Sequence, residues 1–283
     1  MYIIIMRRLQ KILDYFYILE IYFKLLIFLR TLSNLTFKTK NKNKKLIISL
    51  TSFPKRFKTL NLTLITLINQ SVMPYKVVLW IYKKDYKYLP KNILNLQNKV
   101  FLIKKLDKDI KSYKKLIPAI LNFPKKFILT ADDDVYYPYK WSEKIFNSYD
   151  SSKKEIIGHR GHLINFNKYH KIQPYQKWKH NIKYKFSNKN IFLTGVGGIL
   201  YPPNSFHKDY NKDKIYTKIC DNADDIWFHF MARLKNYKFK VLNYYNFFYS
   251  WKSARSSQIS IKLVNDGLND ISLSNMVKKY KFK

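Results

Sequence analysis

A short apolar segment that runs directly into three consecutive aspartates constrains the fold of this chain more than any other feature. Residues 127–131 (FILTA) have the composition of a buried strand, and Asp132, Asp133 and Asp134 follow at its end. Adjacent carboxylates repel each other, so a fold holds them together mainly where a cation neutralises their charge. In an open α/β sheet, ligands bind in the crevice beyond the carboxyl ends of the strands. The segment therefore predicts a divalent cation, Mg²⁺ or Mn²⁺, at a substrate cleft.

A solvated acidic turn is the alternative interpretation of the same segment. The chain of 283 residues has only 18 Asp and Glu against 54 Lys and Arg. Five of those 18 acids fall in two clusters, Asp132 to Asp134 and Asp224 with Asp225. In a chain so poor in acid, this clustering favours a functional role.

From residue 46 onward, short apolar segments alternate with amphipathic ones. Residues 46–50, 77–81, 100–103, 191–194 and 239–242 have the composition of strands. Residues 57–68 and 113–121 carry apolar side chains at helical spacing, as do residues 226–234. Alternation of this kind predicts an α/β domain, which we place at residues 46–250 with a C-terminal tail at 251–283.

The N-terminal segment reads as an amphipathic helix. Residues 1–30 are rich in Ile, Leu, Tyr and Phe, but charged residues interrupt them, so no uncharged run reaches the roughly 20 residues of a bilayer crossing. Charges within the apolar region also argue against a signal peptide. We expect a helix that lies on a membrane surface or docks on the protein itself. Residues 38–45 then predict a linker, which gives an N-terminal unit at residues 1–45.

The formal net charge of +36 indicates either a polyanionic partner or a bias in composition. The basic residues are spread along the whole chain without a nucleic-acid-binding signature. We therefore expect no specific nucleic acid, and some attraction to an anionic membrane. The single cysteine, Cys220, excludes an internal disulfide and fits a reducing compartment. A cytoplasmic location, peripheral on the inner face of the membrane, follows from these expectations.

The second acidic cluster stands at the start of a predicted helix. One of Asp224 and Asp225 could cap that helix, which is the structural interpretation. A second carboxylate beside a cap favours a general base. A base near a metal-bound diphosphate suits displacement of a phosphate leaving group by a hydroxyl. Lys114 and Lys115 precede the acid-ended strand and could add positive charge near those phosphates.

Two further segments are candidates for substrate contact. Residues 150–190 lose clear periodicity and are rich in Tyr, Trp, His and Lys, as around Trp178. Such a segment suits a substrate-facing loop, although its aromatic side chains could equally pack over the sheet edge. Residues 195–198 (GVGG) hold three of the six glycines of the chain, which predicts a tight turn or a backbone that a ligand approaches closely.

The order of these motifs resembles that of glycosyltransferases with the GT-A fold, close to the family 2 type of bacterial capsule and lipopolysaccharide synthesis. The matching segments are residues 50–56 (LTSFPKR), 69–74 (NQSVMP), 112–118 (SYKKLIP), 130–138 (TADDDVYYP), 195–202 (GVGGILYP) and 223–227 (ADDIW). The resemblance implies a Rossmann-like, mixed and mostly parallel sheet flanked by helices. It also implies a nucleotide-sugar donor, a glycan or lipid-linked acceptor, and a transfer that depends on Mn²⁺ or Mg²⁺ and inverts the anomeric carbon.

The resemblance also implies roles for individual residues. Asp134 matches the last carboxylate of the family's DxD motif and would bind the metal, with Asp132 and Asp133 contacting the ribose and completing the metal shell. Asp224 and Asp225 would supply the catalytic base, with Asp224 favoured. The remaining assignments are donor binding by Thr51, Ser52, Pro54, Arg56 and Lys115, and acceptor binding by Gly197, Gly198 and Trp178.

Two other functions use the same features. A metal-dependent phosphohydrolase or nuclease could use both acidic clusters but would need further His or acidic ligands, and few are available at the strand ends. A basic nucleic-acid-binding protein would instead show an affinity that collapses with salt and survives loss of Asp134.

Overall fold

The computed structural model describes residues 19–29, 42–183, 186–245, 247–251 and 266–282. Within these ranges the strands are β1 (Lys42–Thr51), β2 (Met73–Tyr82), β3 (Phe101–Leu106), β4 (Phe127–Thr130), β5 (Glu155–Gly158), β6 (Gly161–Leu163), β7 (Ile191–Leu193), β8 (Ile199–Tyr201) and β9 (Lys238–Val241). The helices are α1 (19–29), α2 (Phe57–Ile68), α3 (Lys91–Leu94), α4 (Ile117–Asn122), α5 (Trp141–Asn147), α6 (Asp213–Cys220), α7 (Asp224–Arg233) and α8 (Leu268–Tyr280).

Seven of these strands form one mixed sheet in the order β3-β2-β1-β4-β8-β5-β9. The pairs β3–β2, β2–β1, β1–β4 and β5–β9 are parallel, and only β8 runs antiparallel to its neighbours. Strands β6 and β7 form a separate antiparallel pair. This architecture confirms the predicted α/β class, with a mixed and mostly parallel sheet flanked by helices.

Both faces of the central sheet are buried, as is typical of parallel strands covered by helices. Along β1, Ile47 packs into one core cluster, whereas Ile48 and Leu50 pack into the other. Helix α2 contributes to the second cluster and α7 to the first, so the two helices cover opposite faces. The continuous apolar character of residues 46–50 follows from this two-sided burial.

Two predicted boundaries are corrected by the structure. Residues 42–45, assigned to a linker, belong to β1, because Lys42 pairs with Met73 of β2 while its side chain stays exposed. The helix predicted over 113–121 is instead a 3-10 turn at Lys111–Lys115 followed by α4. Pro118 explains that break, since proline lacks an amide donor and is tolerated only in the first turn of a helix.

The predicted C-terminal tail contains a helix that packs on the domain. Leu273 and Met276 of α8 are buried in the same core cluster as Trp227 and Phe230 of α7. Only these two apolar side chains of α8 are buried, which gives too weak a periodic pattern to be recognised in the sequence.

Helix α1 is docked on the protein, which was one of the two alternatives for the N-terminal segment. Phe23 and Ile27 pack beside Tyr249 and Trp251, and the ring of Phe23 lies 4.5 Å from that of Tyr249. The opposite face exposes large apolar side chains, namely Ile21, Tyr22, Leu25, Phe28 and Leu29. No helix in the described ranges has the length and apolar character that a membrane crossing requires. Peripheral membrane contact stays a prediction, and residues 1–18 and 30–41 lie outside the described residues.

A buried histidine in α7 gives a prediction about stability. The ring of His229 stacks on Phe239 with 4.2 Å between centroids, and within the described ranges neither ring nitrogen has a hydrogen-bond partner. Burial, with a smaller contribution from Arg233, holds the pKa of His229 well below its usual value of 6.5. We expect His229→Phe to raise the free energy of unfolding by about 1–2 kcal/mol at pH 7.5, because it removes buried, unpaired polar atoms.

The pH dependence of unfolding provides the check on this substitution. Because the folded-state pKa of His229 is depressed, only the unfolded chain takes up this proton as the pH falls below about 6.5. The wild type should then lose about 1.4 kcal/mol per pH unit relative to His229→Phe in urea unfolding. Equal stabilities of the two proteins at pH 7.5 and 5.5 would contradict this account of His229.

Candidate functional site

The three aspartates lie where the parallel strands β1 and β4 end side by side. Ser49 of β1 pairs with Thr130 of β4, so Ser52 and Asp132 emerge at the same edge of the sheet. The amide of Asp132 donates a hydrogen bond to the hydroxyl of Tyr137 over 2.7 Å, which fixes the chain as it leaves β4. The acidic segment thus occupies the crevice position that the strand pattern predicted.

A cleft of about 840 Å³ opens at this edge. Its volume falls within the range of small-molecule and cofactor sites. Both acidic clusters line it, together with most of the predicted donor-binding residues. The predicted residues in its wall are Thr51, Ser52, Arg56, Lys115, Asp132, Asp133, Asp134, Asp224 and Asp225.

Arg56 neutralises part of the first acidic cluster. Its Nη1 atom lies 2.7 Å from Asp133 Oδ1 and 3.1 Å from Asp134 Oδ2. The hydroxyl of Ser52 donates to the other oxygen of Asp133, so both carboxylate oxygens of Asp133 are engaged. These contacts fix the side chain of Asp133 in the wall of the cleft. Ser52 and Arg56 therefore both bind the acidic cluster directly.

Arg56 does not fully compensate the negative charge of this cluster, because the pKa values of both Asp133 and Asp134 are still raised. Burial raises the pKa of Asp133 despite the adjacent Arg56. Burial and the neighbouring Asp133 raise the pKa of Asp134 to about 7. A cation bound beside Asp134 would reverse this shift by stabilising the charged carboxylate.

Lys115 joins the two acidic clusters across the cleft. Its Nζ atom lies 3.3 Å from Asp132 Oδ1, 3.0 Å from Asp224 Oδ2 and 3.9 Å from Asp225 Oδ1. Burial alone would lower the pKa of Lys115, but the three carboxylates raise it well above its usual value. Lys115 is therefore a permanent cation at the centre of the site.

The main chain of Lys115 is anchored to the sheet. The hydroxyl of Ser49 donates to the carbonyl of Lys115 over 2.6 Å, and the indole nitrogen of Trp80 donates to Ser49 Oγ over 2.9 Å. Because Ser49 and Trp80 belong to β1 and β2, the ammonium group is positioned by the rigid core of the domain.

The second acidic cluster does not cap its helix. Helix α7 begins at Asp224, and Ala223 occupies the position where a capping side chain would stand. The amide of Gly195 donates to Asp225 Oδ2 over 2.9 Å, which orients that carboxylate toward the cleft. A Cβ atom on Gly195 would lie 3.0 Å from Lys115 Nζ and 3.2 Å from Asp225 Oδ1. The glycine at this position thus makes room for the lysine and the aspartate.

Two observations distinguish Asp225 from Asp224, the residue that the sequence favoured as the base. The side chain of Asp225 is 30% exposed to the cleft, whereas that of Asp224 is 10% exposed and lies closer to Lys115. Burial, and to a smaller extent Asp224, raises the pKa of Asp225 to about 7, although Lys115 opposes the shift. A carboxylate with a pKa near the working pH is suited to general base catalysis.

The cleft offers few side-chain ligands for the implied metal. Among the described residues, no group of three or more His, Cys, Asp or Glu side chains is arranged to hold a metal ion. Mg²⁺ commonly takes only one or two carboxylates and completes its shell with water and substrate phosphates. Asp132 and Asp134 both line the cleft and supply two hard oxygen ligands, so the residues present fit a metal shared with a diphosphate.

Four of the predicted residues lie outside the wall of the cleft. Trp178, an expected acceptor contact, is a core residue at 3% exposure whose indole nitrogen donates to the carbonyl of Gln173. Pro54 opens a 3-10 turn and does not reach the cavity. Gly197 and Gly198 also stand behind the surface of the cleft.

Packing explains the glycines. At Gly198 the backbone has a φ of +82°, and a Cβ atom there would lie 2.3 Å from Trp141 Cζ2. At Gly197 a Cβ atom would lie 3.0 Å from Arg160. Trp141 and Arg160 therefore make close approaches to the backbone of the kind that the glycine-rich segment predicted.

The sequence did not identify several residues that line the cleft. Arg160 follows β5, Tyr175 comes from the irregular segment, and Thr194 precedes the glycines. Phe247 and Phe248 close the cleft from the C-terminal side. Tyr and Phe, with 24 and 20 residues, are too abundant in this chain to single out individual positions, and only the aromatic character of residues 150–190 pointed to one of these residues, Tyr175.

No protein-family model and no curated protein matches the chain. Among solved structures, 4-diphosphocytidyl-2C-methyl-D-erythritol synthase from Anaerococcus prevotii is similar with a TM-score of 0.46 and 16% identity, over 81% of this chain and 96% of that one. The inositol-1-phosphate CTP transferase of T. maritima gives 0.42 and 10%, over 86% and 98% of the two chains. S. aureus TarS 1–349 gives 0.43 and 14%, over 81% and 65%. Similarity at this level carries no information about the reaction.

Proposed function

We propose that the protein is a metal-dependent glycosyltransferase that moves a sugar from a nucleotide-sugar donor to a hydroxyl group of a glycan or lipid-linked acceptor. One observation carries the proposal: the strand-end aspartates and the Asp224–Asp225 pair line one cleft, joined by Lys115. The motif order that resembles family 2 glycosyltransferases of surface-polysaccharide synthesis is consistent with this arrangement.

Asp225 is the proposed base. The acceptor oxygen forms a bond to the anomeric carbon of the donor sugar while the bond from that carbon to the diphosphate oxygen breaks. Asp225 accepts the hydroxyl proton, and the nucleoside diphosphate leaves. Attack opposite the leaving group inverts the anomeric carbon. The hydrogen bond from Gly195 holds the carboxylate in one orientation for this transfer.

The donor lies toward Ser52, Arg56 and the strand-end aspartates in this proposal. Asp132 and Asp134 would hold Mn²⁺ or Mg²⁺, and a bound ion of this kind offsets charge that develops on a leaving diphosphate. Lys115 adds a fixed positive charge between the leaving group and the base. Thr51 and Ser52, at the end of β1, lie where they can contact the nucleoside.

Release of nucleoside diphosphate tests the proposal. The purified protein is incubated with Mn²⁺ and a panel of nucleotide sugars, and free nucleoside diphosphate is measured for the wild type and Asp134→Asn. We expect release from one donor, reduced roughly 100-fold or more in the variant because a metal ligand is lost. Asp107→Asn is the matched control, since its side chain is 91% exposed and does not line the cleft.

Three results would contradict the proposal. Release that is unchanged in Asp134→Asn would separate the activity from the acidic cluster. Cleavage of a phosphodiester, without release from any nucleotide sugar, would instead indicate a hydrolase or nuclease. Salt-sensitive nucleic-acid binding that survives Asp134→Asn would indicate a binding protein.

A further inference from the structure

Most cations of the cleft wall already have an acidic partner within the protein. Arg56 pairs with Asp133 and Asp134, and Lys115 pairs with Asp132. Two lysines nearby are paired as well, Lys111 with Asp221 and Lys114 with Asp109, both at 2.6 Å. These four positive charges are therefore compensated before any ligand arrives.

Arg160 differs from them. It lines the same cleft and is half-buried, yet in the part of the chain that the structure describes it forms no ion pair with a carboxylate. Its Nη1 atom donates to the hydroxyl of Thr194 over 3.0 Å, a neutral partner. Burial lowers the pKa of Arg160, the direction expected for a cation withdrawn from water, while Tyr175 and Asp225 oppose the shift only in part.

The protein packs closely around the main chain of Arg160. Gly197 lies against it so closely that a Cβ atom there would stand 3.0 Å from both the Cβ and the amide nitrogen of Arg160. The hydrogen bond to Thr194 fixes the guanidinium, and it leaves most of the group's five N–H donors for a further partner. Arginine is well suited to bidentate binding of phosphate or carboxylate.

Its location points to the acceptor half of the site. Thr194, which holds Arg160, directly precedes Gly195, whose amide orients the proposed base Asp225. Arg56 and Lys115 already serve the strand-end aspartates at the donor end. Since the acceptor hydroxyl must reach Asp225, a group bound by Arg160 belongs to the molecule that presents that hydroxyl.

We propose that Arg160 binds an anionic group, a phosphate or a carboxylate, carried by the sugar acceptor. The inference rests on the proposed function. It restricts the acceptor of that reaction to sugars that carry a negatively charged group. Tyr175 and Asn181 line the same cleft as Arg160, and we expect them to contact the neutral part of that sugar.

Saturation-transfer NMR with three probe sugars tests the inference without requiring turnover. The probes are methyl glucoside, methyl glucoside 6-phosphate and methyl glucuronide, added to protein saturated with diamagnetic Mg²⁺ and the nucleoside diphosphate that the release assay identifies. If no nucleoside diphosphate is identified, the titration is run without it. We expect at least one acidic probe to bind more tightly than the neutral sugar, and comparison of the two acidic probes distinguishes phosphate from carboxylate.

Variants of Arg160 give the decisive comparison. Arg160→Gln should weaken binding of the acidic probe roughly 10- to 100-fold, the effect of losing a charge-assisted hydrogen bond, and Arg160→Lys should recover part of it. Lys177→Gln, which removes an exposed charge from the neighbouring loop, is the matched control. The KM for the donor should stay within about twofold in Arg160→Gln, because this contact is proposed to be with the acceptor.

Two outcomes overturn the inference. Equal binding of acidic and neutral probes, or binding that Arg160→Gln leaves unchanged, removes the anion-binding role. A rise in donor KM with competition between the acidic probe and the nucleoside diphosphate would assign Arg160 to the donor phosphates. If the proposed function itself is wrong, the release assay will show it, because the wild type will release no nucleoside diphosphate.

Discussion

Asp225→Asn is expected to lower the rate of glycosyl transfer by roughly 10²- to 10⁴-fold, the usual contribution of a general base. The amide preserves the shape of the side chain and can still accept the hydrogen bond from Gly195, but it cannot take a proton from the acceptor. Steady-state kinetics should therefore show a fall in kcat with little change in the KM for the donor.

The pH profile adds a second measure of the same residue. Since the pKa of Asp225 is raised to about 7 and the base acts in its charged form, wild-type activity should rise with pH through about 7. Loss of this rise in Asp225→Asn is expected. Asp224→Asn is the control, because Asp224 is buried against Lys115: this variant should keep a rise, moved to lower pH since Asp224 no longer raises the pKa of Asp225. A larger fall in kcat for Asp224→Asn than for Asp225→Asn would show that Asp224 is the base.

Lys115→Met is expected to lower the free energy of unfolding by about 3–5 kcal/mol, the typical cost of breaking a buried ion pair by removing one partner. Methionine keeps the length and apolar stem of the lysine but removes the charge that Asp132, Asp224 and Asp225 share. Urea unfolding at pH 7.5 measures the change. Activity should be lost as well, because the two acidic clusters would repel each other across the cleft.

Lys114→Met is a closely matched control for this substitution. Lys114 is adjacent in sequence and its side chain is similarly buried, but its carboxylate partner Asp109 is 46% exposed. Water can solvate Asp109 once the lysine is gone, so we expect a loss of only about 1 kcal/mol. Equal destabilisation by the two substitutions would show that Lys115 has no special role in joining the clusters.

The fold and the location of the site were largely predictable from the sequence because they depend on local patterns. The strand at 127–130 and the aspartates that follow it are contiguous, and a parallel sheet places its strand ends at one edge.

Contacts between residues that are far apart in the sequence could not be predicted from the sequence. Lys115 is one of 54 basic residues, and only the folded chain shows that it lies between the two acidic clusters. Arg160 carries no sequence signal, because the absence of an acidic partner is a property of the fold. The burial of Trp178 was hidden for a related reason: an aromatic side chain in an irregular segment can face either a ligand or the core, and this one lies in the core.

The structure was also needed to distinguish Asp224 from Asp225. Neighbouring residues at the start of a helix point in different directions, so one carboxylate turns toward Lys115 and the other toward Gly195. The sequence could name the pair but could not separate the two roles.

The bond that is broken in the donor tests the central claim most directly. Phosphorus NMR of the reaction of the wild-type protein with its nucleotide sugar and Mg²⁺, which is diamagnetic, identifies the phosphorus-containing product. Glycosyl transfer at this cleft predicts a nucleoside diphosphate as the first product, with no phosphate left on the sugar. Formation of a nucleoside monophosphate with a sugar phosphate, or of pyrophosphate from a nucleoside triphosphate, would contradict the account.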